Sequence, residues 1–275
     1  MTSTVLVTGS SSGFGRAICR HFHANGWNVV ASMRAPLSEV EFTTGDRMLV
    51  TRLDVQDRTS IDSAVAGAIE KFGSVDVVIN NAGFGLYGAF EGIPREKLIE
   101  QFEVNVFGPM DVTRAILPHF RGRRSGVVVN VSSGVGVFAI PIASQYAASK
   151  FALEGFSEAI SYELAAVGVT VKIVEPGAAP STGFPARSES ETKSLATPQD
   201  YESFLAGTQE VFKRFSTGAD DGAIEKIAAS IFEAATDGTD QLRYVLTEDI
   251  KPLIKARREA GEEQYMKTMR ALFAI

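Results

Sequence analysis

Residues 8–15 read Thr8-Gly9-Ser10-Ser11-Ser12-Gly13-Phe14-Gly15, and they stand between the apolar run Val5-Leu6-Val7 and a stretch with helical spacing of its apolar residues. A glycine-rich turn that closes a short β-branched strand and opens a helix marks the place where an open α/β sheet binds its ligand. Such sites lie beyond the carboxyl ends of the strands, near the point where strand order reverses. Gly9 permits the tight turn, Gly13 lets the backbone approach a pyrophosphate, and Gly15 lets the helix lie close to the sheet. Exposed N–H groups and the helix dipole then favour the anion.

Working outward, short β-branched runs at 4–8, 28–33, 48–54, 75–80, 126–132, 169–175 and 242–246 alternate with amphipathic stretches at 14–25, 60–72, 95–121, 145–166, 198–215 and 221–236. Repeated βα units of this kind build a parallel sheet. Val127-Val128-Val129 and Val77-Val78-Ile79 are apolar on consecutive residues, as strands covered on both faces require. The expected fold is therefore an α/β, Rossmann-type doubly wound parallel sheet of about seven strands with helices on both faces. The length of 275 residues favours a single domain, 1–275, with a C-terminal extension from about 247. Between Gly177 and Asp200 the composition turns to Ser, Thr, Glu and Pro directly after a strand end, and a substrate lid is expected over 178–215.

The glycine spacing is G-x-x-x-G-x-G, and with Thr8 before it the segment resembles the T-G-x-x-x-G-x-G of the short-chain dehydrogenases/reductases. Further motifs follow in that family's order over roughly residues 4–180: Asp54-Val55, Asn80-Asn81-Ala82-Gly83, Asn105, Ser133, Tyr146-Ala147-Ala148-Ser149-Lys150 and Pro176-Gly177. The resemblance implies an oxidoreductase that exchanges a hydride between a nicotinamide and a carbonyl or alcohol. It implies cofactor contacts from Gly9, Ser11, Ser12, Gly13, the backbone N–H of Phe14, Gly15, Asp54 at the adenine, Val55 lining its pocket, Asn81, Ala82 and Gly83 at the ribose, Tyr146, Lys150, and Pro176-Gly177 facing the nicotinamide. A threonine is usual five residues after Pro176, where Ser181 stands with Thr182 next to it. Relatives associate through two long helices that correspond to 95–121 and 145–166, which implies a homodimer or homotetramer.

Tyr146, Lys150, Ser133 and Asn105 suit this chemistry. Hydride delivery to a ketone leaves negative charge on oxygen, so a hydrogen-bond donor and then a proton must be at hand. Tyr146 can be that acid. Lys150 is one helical turn away, and an ammonium at about 4–6 Å is expected to lower the tyrosine pKa from about 10. Lys150 can also hold the ribose hydroxyls, Ser133 can donate a second hydrogen bond to the substrate oxygen, and Asn105, by resemblance, anchors a water that resupplies protons. Each motif taken alone has a plainer reading: a snorkelling lysine, amides that brace strand ends at Asn80 and Asn81, a turn-forming Asp54, and a helix-interior amide at Asn105.

The second strand ends Ala31-Ser32-Met33-Arg34. An acid at its end would accept the ribose hydroxyls of NAD, whereas a nearby arginine accommodates the extra phosphate of NADP, so Met33 followed by Arg34 points to NADP(H). A net charge of −6 argues against a nucleic-acid or anionic-membrane partner. One cysteine and three histidines make a disulfide impossible within the chain and a metal site hard to assemble. No run reaches the roughly 18–20 apolar residues of a membrane span, and a cytoplasmic protein is expected. Phe138, Ile140 and Phe184 add apolar surface near the motifs, and Tyr201, Phe204, Leu205, Val211, Phe212 and Phe215 follow at helical spacing. The expected substrate is a bulky uncharged ketone or aldehyde, or its alcohol. The competing reading is a catalytically silent dinucleotide-binding sensor or scaffold.

Overall fold

The structure, a computed structural model, describes residues 2–177, 188, 191, 197–216 and 222–273. Seven parallel strands, β1 (Thr4–Val7), β2 (Asn28–Met33), β3 (Met48–Arg52), β4 (Val77–Asn80), β5 (Gly126–Val131), β6 (Val169–Glu175) and β7 (Arg243–Val245), form one sheet in the order β3-β2-β1-β4-β5-β6-β7. β1 pairs with β2 on one side and with β4 on the other, so strand order reverses there. The crevice above that reversal lies between the turn after β1 and the loop after β4. β1, β2 and β4 are buried at every residue, which explains their uninterrupted apolar character.

Helices cover both faces. On one, α1 (Gly13–Ala24) and α7 (Ala223–Thr236) press Ile18, Phe22, Ile227 and Ile231 against the sheet. On the other lie α2 (Arg58–Phe72), α4 (Gly108–Arg123) and α5 (Ser144–Ala165), which contribute Ile61, Val65, Ile116, Phe120 and Leu164. A third apolar cluster sits beyond the strand ends. There α6 (Glu202–Ser216), α8 (Lys251–Glu259) and α9 (Glu262–Phe273) bring Val211, Ile254, Tyr265, Met269 and Phe273 over Phe138 and Tyr146. Among the described residues no helix is long and apolar enough to cross a membrane.

Two expectations need correction. The helix expected to run unbroken over 95–121 is divided into α3 (Arg95–Phe102), a π turn (Glu103–Phe107) and α4. Pro109 has no N–H to return to the Asn105 carbonyl, and Gly108 is pressed against Val55, where an added Cβ would stand 2.7 Å from the valine Cβ. The turn therefore widens at Asn105, and such π bulges recur at functional sites. Several strands also stop short of the expected ends, because Thr8, Leu53, Asp54 and Ser132 have already turned into site loops.

Candidate active site

The turn after β1 is braced from two neighbouring strands. Thr8 Oγ1 accepts the backbone N–H groups of Asn81 and Ala82, both at 3.0 Å. Asn81 Nδ2 returns hydrogen bonds to the Thr8 and Gly9 carbonyls at 2.9 and 3.2 Å. Ser10 is buried and donates to the Ser32 carbonyl at 3.0 Å. Gly9 takes φ +68°, and a Cβ there would stand 2.9 Å from Ala82 Cα, so only glycine fits. A Cβ on Gly15 would overlap the Gly9 carbonyl oxygen. Ser11 and Ser12 are exposed, and Ser12, the N-cap of α1, makes no side-chain cap. The first N–H groups of α1 thus point out of a glycine cradle, and the arrangement fits the pyrophosphate of a dinucleotide. Phe14 packs its side chain on the core beneath.

At the far end of β2, Met33 is buried and Arg34 is exposed. Among the described residues the Arg34 guanidinium makes no hydrogen bond or ion pair. Arg16, on the neighbouring helix α1, is already committed to Glu39 at 2.8 Å and Glu41 at 3.3 Å. Asp54 Oδ1 accepts the Gln56 N–H at 3.1 Å, which is the turn-forming role that its position allows. Val55 is buried in the lower core against Gly108.

The loop after β4, the π turn and α5 converge next. Asn105 Oδ1 accepts the Phe84 N–H at 3.0 Å, while its Nδ2 donates to the Phe84 carbonyl at 2.8 Å and to Ser149 Oγ at 3.1 Å. A Cβ on Gly83 would lie 3.1 Å from Asn105 Oδ1 and 3.8 Å from Lys150 Nζ, so these three residues share one corner. Lys150 Nζ donates to the Val131 carbonyl at 2.8 Å and stands 5.9 Å from the centre of the Tyr146 ring. Burial pushes the lysine down to about 8, against the pull of the Glu154 carboxylate.

Tyr146 is buried and hydrogen-bonded with Ser133, which caps the turn at Gly134–Gly136. Burial pushes the phenol up to about 12, and the Ser133 hydrogen bond only partly offsets it. The expected acidification by Lys150 is thus absent from the protein alone, since desolvation dominates and the ammonium is turned to Val131. At neutral pH the tyrosine holds its proton. Its neighbour Tyr87, 5.8 Å away between ring centres, was not singled out by sequence reasoning, although it follows the Asn-Asn-Ala-Gly motif closely. Ile142, just before α5, adopts φ 56°, a left-handed conformation that costs a β-branched residue about 1–3 kcal/mol, and its carbonyl accepts the Gly88 N–H at 2.7 Å.

Pro176 and Gly177 close the far wall. Gly134 N–H donates to the Pro176 carbonyl at 3.0 Å, and Gly177 N–H donates to Thr247 Oγ1 at 2.9 Å. A Cβ on Gly177 would overlap Thr247 and Asp249, so the C-terminal segment frames the site. No local pattern announced those two residues. Ser181, Thr182 and Phe184, with residues 178–187, 189–190 and 192–196 of the expected lid, lie outside the described residues. Of that segment, Ser188 donates to the Gly85 carbonyl at 2.5 Å, Glu191 pairs with Lys97 at 2.7 Å, and Phe212 of α6 meets Tyr87 and Phe273 edge-on, each at 6.2 Å.

Residues 3–192 match the profile of the short chain dehydrogenase family. The chain is 34% identical over 238 residues to an uncharacterized oxidoreductase of Schizosaccharomyces pombe, covering 86% of this chain and 98% of that one. It is 39% identical over 180 residues to a 3-ketodihydrosphingosine reductase of Bacteroides thetaiotaomicron, covering 66% of this chain and 65% of that protein. It is 36% identical over 180 residues to human retinol dehydrogenase 8, covering 63% and 58%. Among solved structures it is similar to a short-chain dehydrogenase from Streptomyces avermitilis, with TM-score 0.80, 34% identity and coverage of 100% and 95%. A short-chain dehydrogenase/reductase from Burkholderia phymatum in complex with NAD gives TM-score 0.81, 26% identity and coverage of 96% and 95%. Profile, sequence relatives and sheet topology agree, and the chain belongs to the short-chain dehydrogenase/reductase family of nicotinamide-dinucleotide-binding oxidoreductases.

Proposed function

We propose that the protein is an NADP(H)-dependent oxidoreductase, a single domain, that interconverts a bulky, uncharged, apolar ketone or aldehyde and its alcohol, with Tyr146 as the proton donor and acceptor. The observation that carries this reading is the buried, protonated Tyr146 hydroxyl joined to Ser133 beneath an apolar cover. The bound dinucleotide supplies the hydride. Ser133 and Tyr146 hydrogen-bond the carbonyl oxygen on which charge develops, and Tyr146 then gives up its proton. Lys150, fixed on the Val131 carbonyl, holds positive charge beside the phenolate that remains and reaches the ribose. Asn105 holds the loop at Phe84 and, through Ser149, the catalytic helix.

The buried Met33 and the unengaged Arg34 support NADP(H) over NAD. The apolar surround of Tyr146, built from Phe138, Val211, Tyr265, Met269 and Phe273, supports an apolar substrate and excludes water that would weaken the hydrogen bonds to the oxyanion. The names of two relatives, a 3-ketodihydrosphingosine reductase and a retinol dehydrogenase, point the same way. Ile99 and Phe107, on α3 and the π turn, and Phe151 on α5 are exposed by 47%, 48% and 40%, which supports a homodimer or homotetramer formed through these helices. The test is NADPH oxidation against a panel of long-chain, aryl and small keto-acid substrates, with Tyr146→Phe alongside. Turnover of the apolar ketones that is lost in Tyr146→Phe is the expected result. Pyruvate preferred over every apolar ketone, or near wild-type activity in Tyr146→Phe, overturns the reading.

A further inference from the structure

We propose that Glu154 is a positioning residue for the reaction: its buried carboxylate, held by Arg243 from β7, keeps Lys150 in the charged form that the tyrosine step requires. The inference rests on the assignment of Tyr146 and Lys150 to catalysis. Tyr146, Lys150 and Glu154 follow one another at single-turn spacing on one face of α5, and each is only 6% exposed. Gly136 packs into the gap beside them, where an added Cβ would meet Ser132 Oγ at 2.6 Å, Glu154 Cγ at 3.0 Å and the Lys150 carbonyl at 3.3 Å. Ser132 lies between Val131, whose carbonyl receives the lysine, and Ser133.

Behind this row stands a cluster of charge from four elements. Glu154 Oε2 accepts Arg243 Nε at 3.0 Å, and Arg243 Nη2 donates to Glu158 Oε2, one turn further along α5, at 2.5 Å. Glu175, the last residue of β6 and wholly buried, accepts Arg258 Nη2 of α8 at 2.7 Å and lies 3.8 Å from Arg243 Nε. Glu154, Glu158 and Glu175 thus face the guanidinium groups of Arg243 and Arg258, with Glu154 and Glu175 buried and Glu158 half-exposed. Lys150 is the next cation along the same helix face, and a buried charge without a partner is costly. Glu154 Oε1, Glu175 Oε2 and Ser132 Oγ are buried and unpartnered among the described residues, so each of the two buried carboxylates meets its arginine through one oxygen only.

Burial, and then the Glu154 charge, push the Glu175 carboxyl up, while Arg258 and Arg243 oppose the shift. Burial pushes Lys150 down to about 8, and the Glu154 charge pulls the other way. Removing that charge therefore lets Lys150 deprotonate at lower pH.

The test is the pH profile of kcat/KM for carbonyl reduction in wild type, Glu154→Gln and Glu158→Gln, with folding checked by thermal melting. Glu154→Gln is expected to move the basic limb down by about one pH unit, that is, a roughly tenfold loss at the alkaline end. Glu158→Gln, which alters the exposed carboxylate on the same arginine, is expected to leave the limb in place. A folded Glu154→Gln with the wild-type limb, or an equal shift in Glu158→Gln, overturns the proposal. Should Glu154→Gln fail to fold, Glu154→Asp decides: withdrawing the carboxylate by one methylene should shift the limb less but in the same direction, and no shift overturns it. Activity retained in Tyr146→Phe would remove the underlying assignment and the proposal with it. An inactive Tyr146→Phe combined with an unmoved limb refutes the role of Glu154 alone.

Discussion

Asn105 grips Phe84 twice, accepting its N–H at 3.0 Å and donating to its carbonyl at 2.8 Å, from the one turn of the α3–α4 segment that is not α-helical. The pair fixes the loop after β4 against the Lys150 corner. Asn105→Leu would leave a buried N–H, a buried carbonyl and the Ser149 hydroxyl without this partner, at a cost of about 2–4 kcal/mol. Asn105→Asp keeps the acceptor but cannot donate to Phe84 or Ser149, and is expected to be as harmful. Urea unfolding should show both midpoints lowered, with the KM for NADPH raised because Gly83 borders Lys150. Midpoints at the wild-type value would show that the grip carries no stability.

The ionisation of the site predicts a direction for pH dependence. Tyr146 is held up near 12 by burial, with the Ser133 hydrogen bond opposing, and Lys150 is held down near 8 by burial, with Glu154 opposing. Below pH 8 the tyrosine is protonated and the lysine charged, the state that carbonyl reduction uses. Above it the lysine loses its charge first, although the two titrations are coupled and the limb belongs to the pair. Reduction is therefore expected to be level around neutrality and to fall above about pH 8. A profile still rising at pH 9 would contradict this ordering.

Much of the site is legible in the sequence because it is built from local pattern. The Gly9 to Gly15 turn, Tyr146 and Lys150 one helical turn apart, and Asn81 after a strand each declare themselves within a few residues. Arg243, Arg258, Thr247 and Asp249 do not, since they reach the site from β7, α8 and the loop between them, 68 to 89 residues beyond the groups they touch. Charge pairing across such distances has no period to read. The break at Asn105 was missed for a different reason: the apolar spacing of 95–121 continues through it, and only Pro109, which cannot donate to the Asn105 carbonyl, signals the widened turn.

Cofactor choice should be transferable through two residues. Met33 ends β2 buried and Arg34 leaves it exposed, so combining Met33→Asp with Arg34→Ala adds a carboxylate for the ribose hydroxyls and removes the cation that a 2′-phosphate would meet. The ratio of kcat/KM for NADPH to that for NADH is expected to fall by at least about tenfold, the value of roughly 1.4 kcal/mol of differential binding. Equal use of both cofactors by the unmodified enzyme would show that Arg34 does not set the preference.

Away from the site, β6 carries a lysine where a core residue belongs. Lys172 is 2% exposed, and its Nζ donates to Asp237 Oδ1 at 3.0 Å, the Thr239 carbonyl at 2.8 Å and the Tyr244 hydroxyl at 2.8 Å. This clamp ties the end of α7 to β6 and β7, the two strands that bring Glu175 and Arg243 together. Partial burial pushes the Asp237 carboxyl up, but hydrogen bonds from Tyr244, the Thr239 N–H and Lys172 outweigh it and hold the group well below its ordinary 3.8. Because the folded value is depressed, the stability this carboxylate contributes is fully present above pH 3.8 and is lost as pH falls below it. The two halves of the pair should not be equivalent. Asp237→Asn leaves a buried ammonium without its counter-charge and is expected to cost about 2–3 kcal/mol, whereas Lys172→Met replaces the buried cation by an apolar chain and leaves a carboxylate that water can reach, for about 1 kcal/mol. Chemical denaturation at pH 7 should rank the variants in that order, and the gap between wild type and Asp237→Asn should narrow at pH 3. A larger loss from Lys172→Met than from Asp237→Asn would mean that the lysine stem, and not the buried charge, is what β6 depends on.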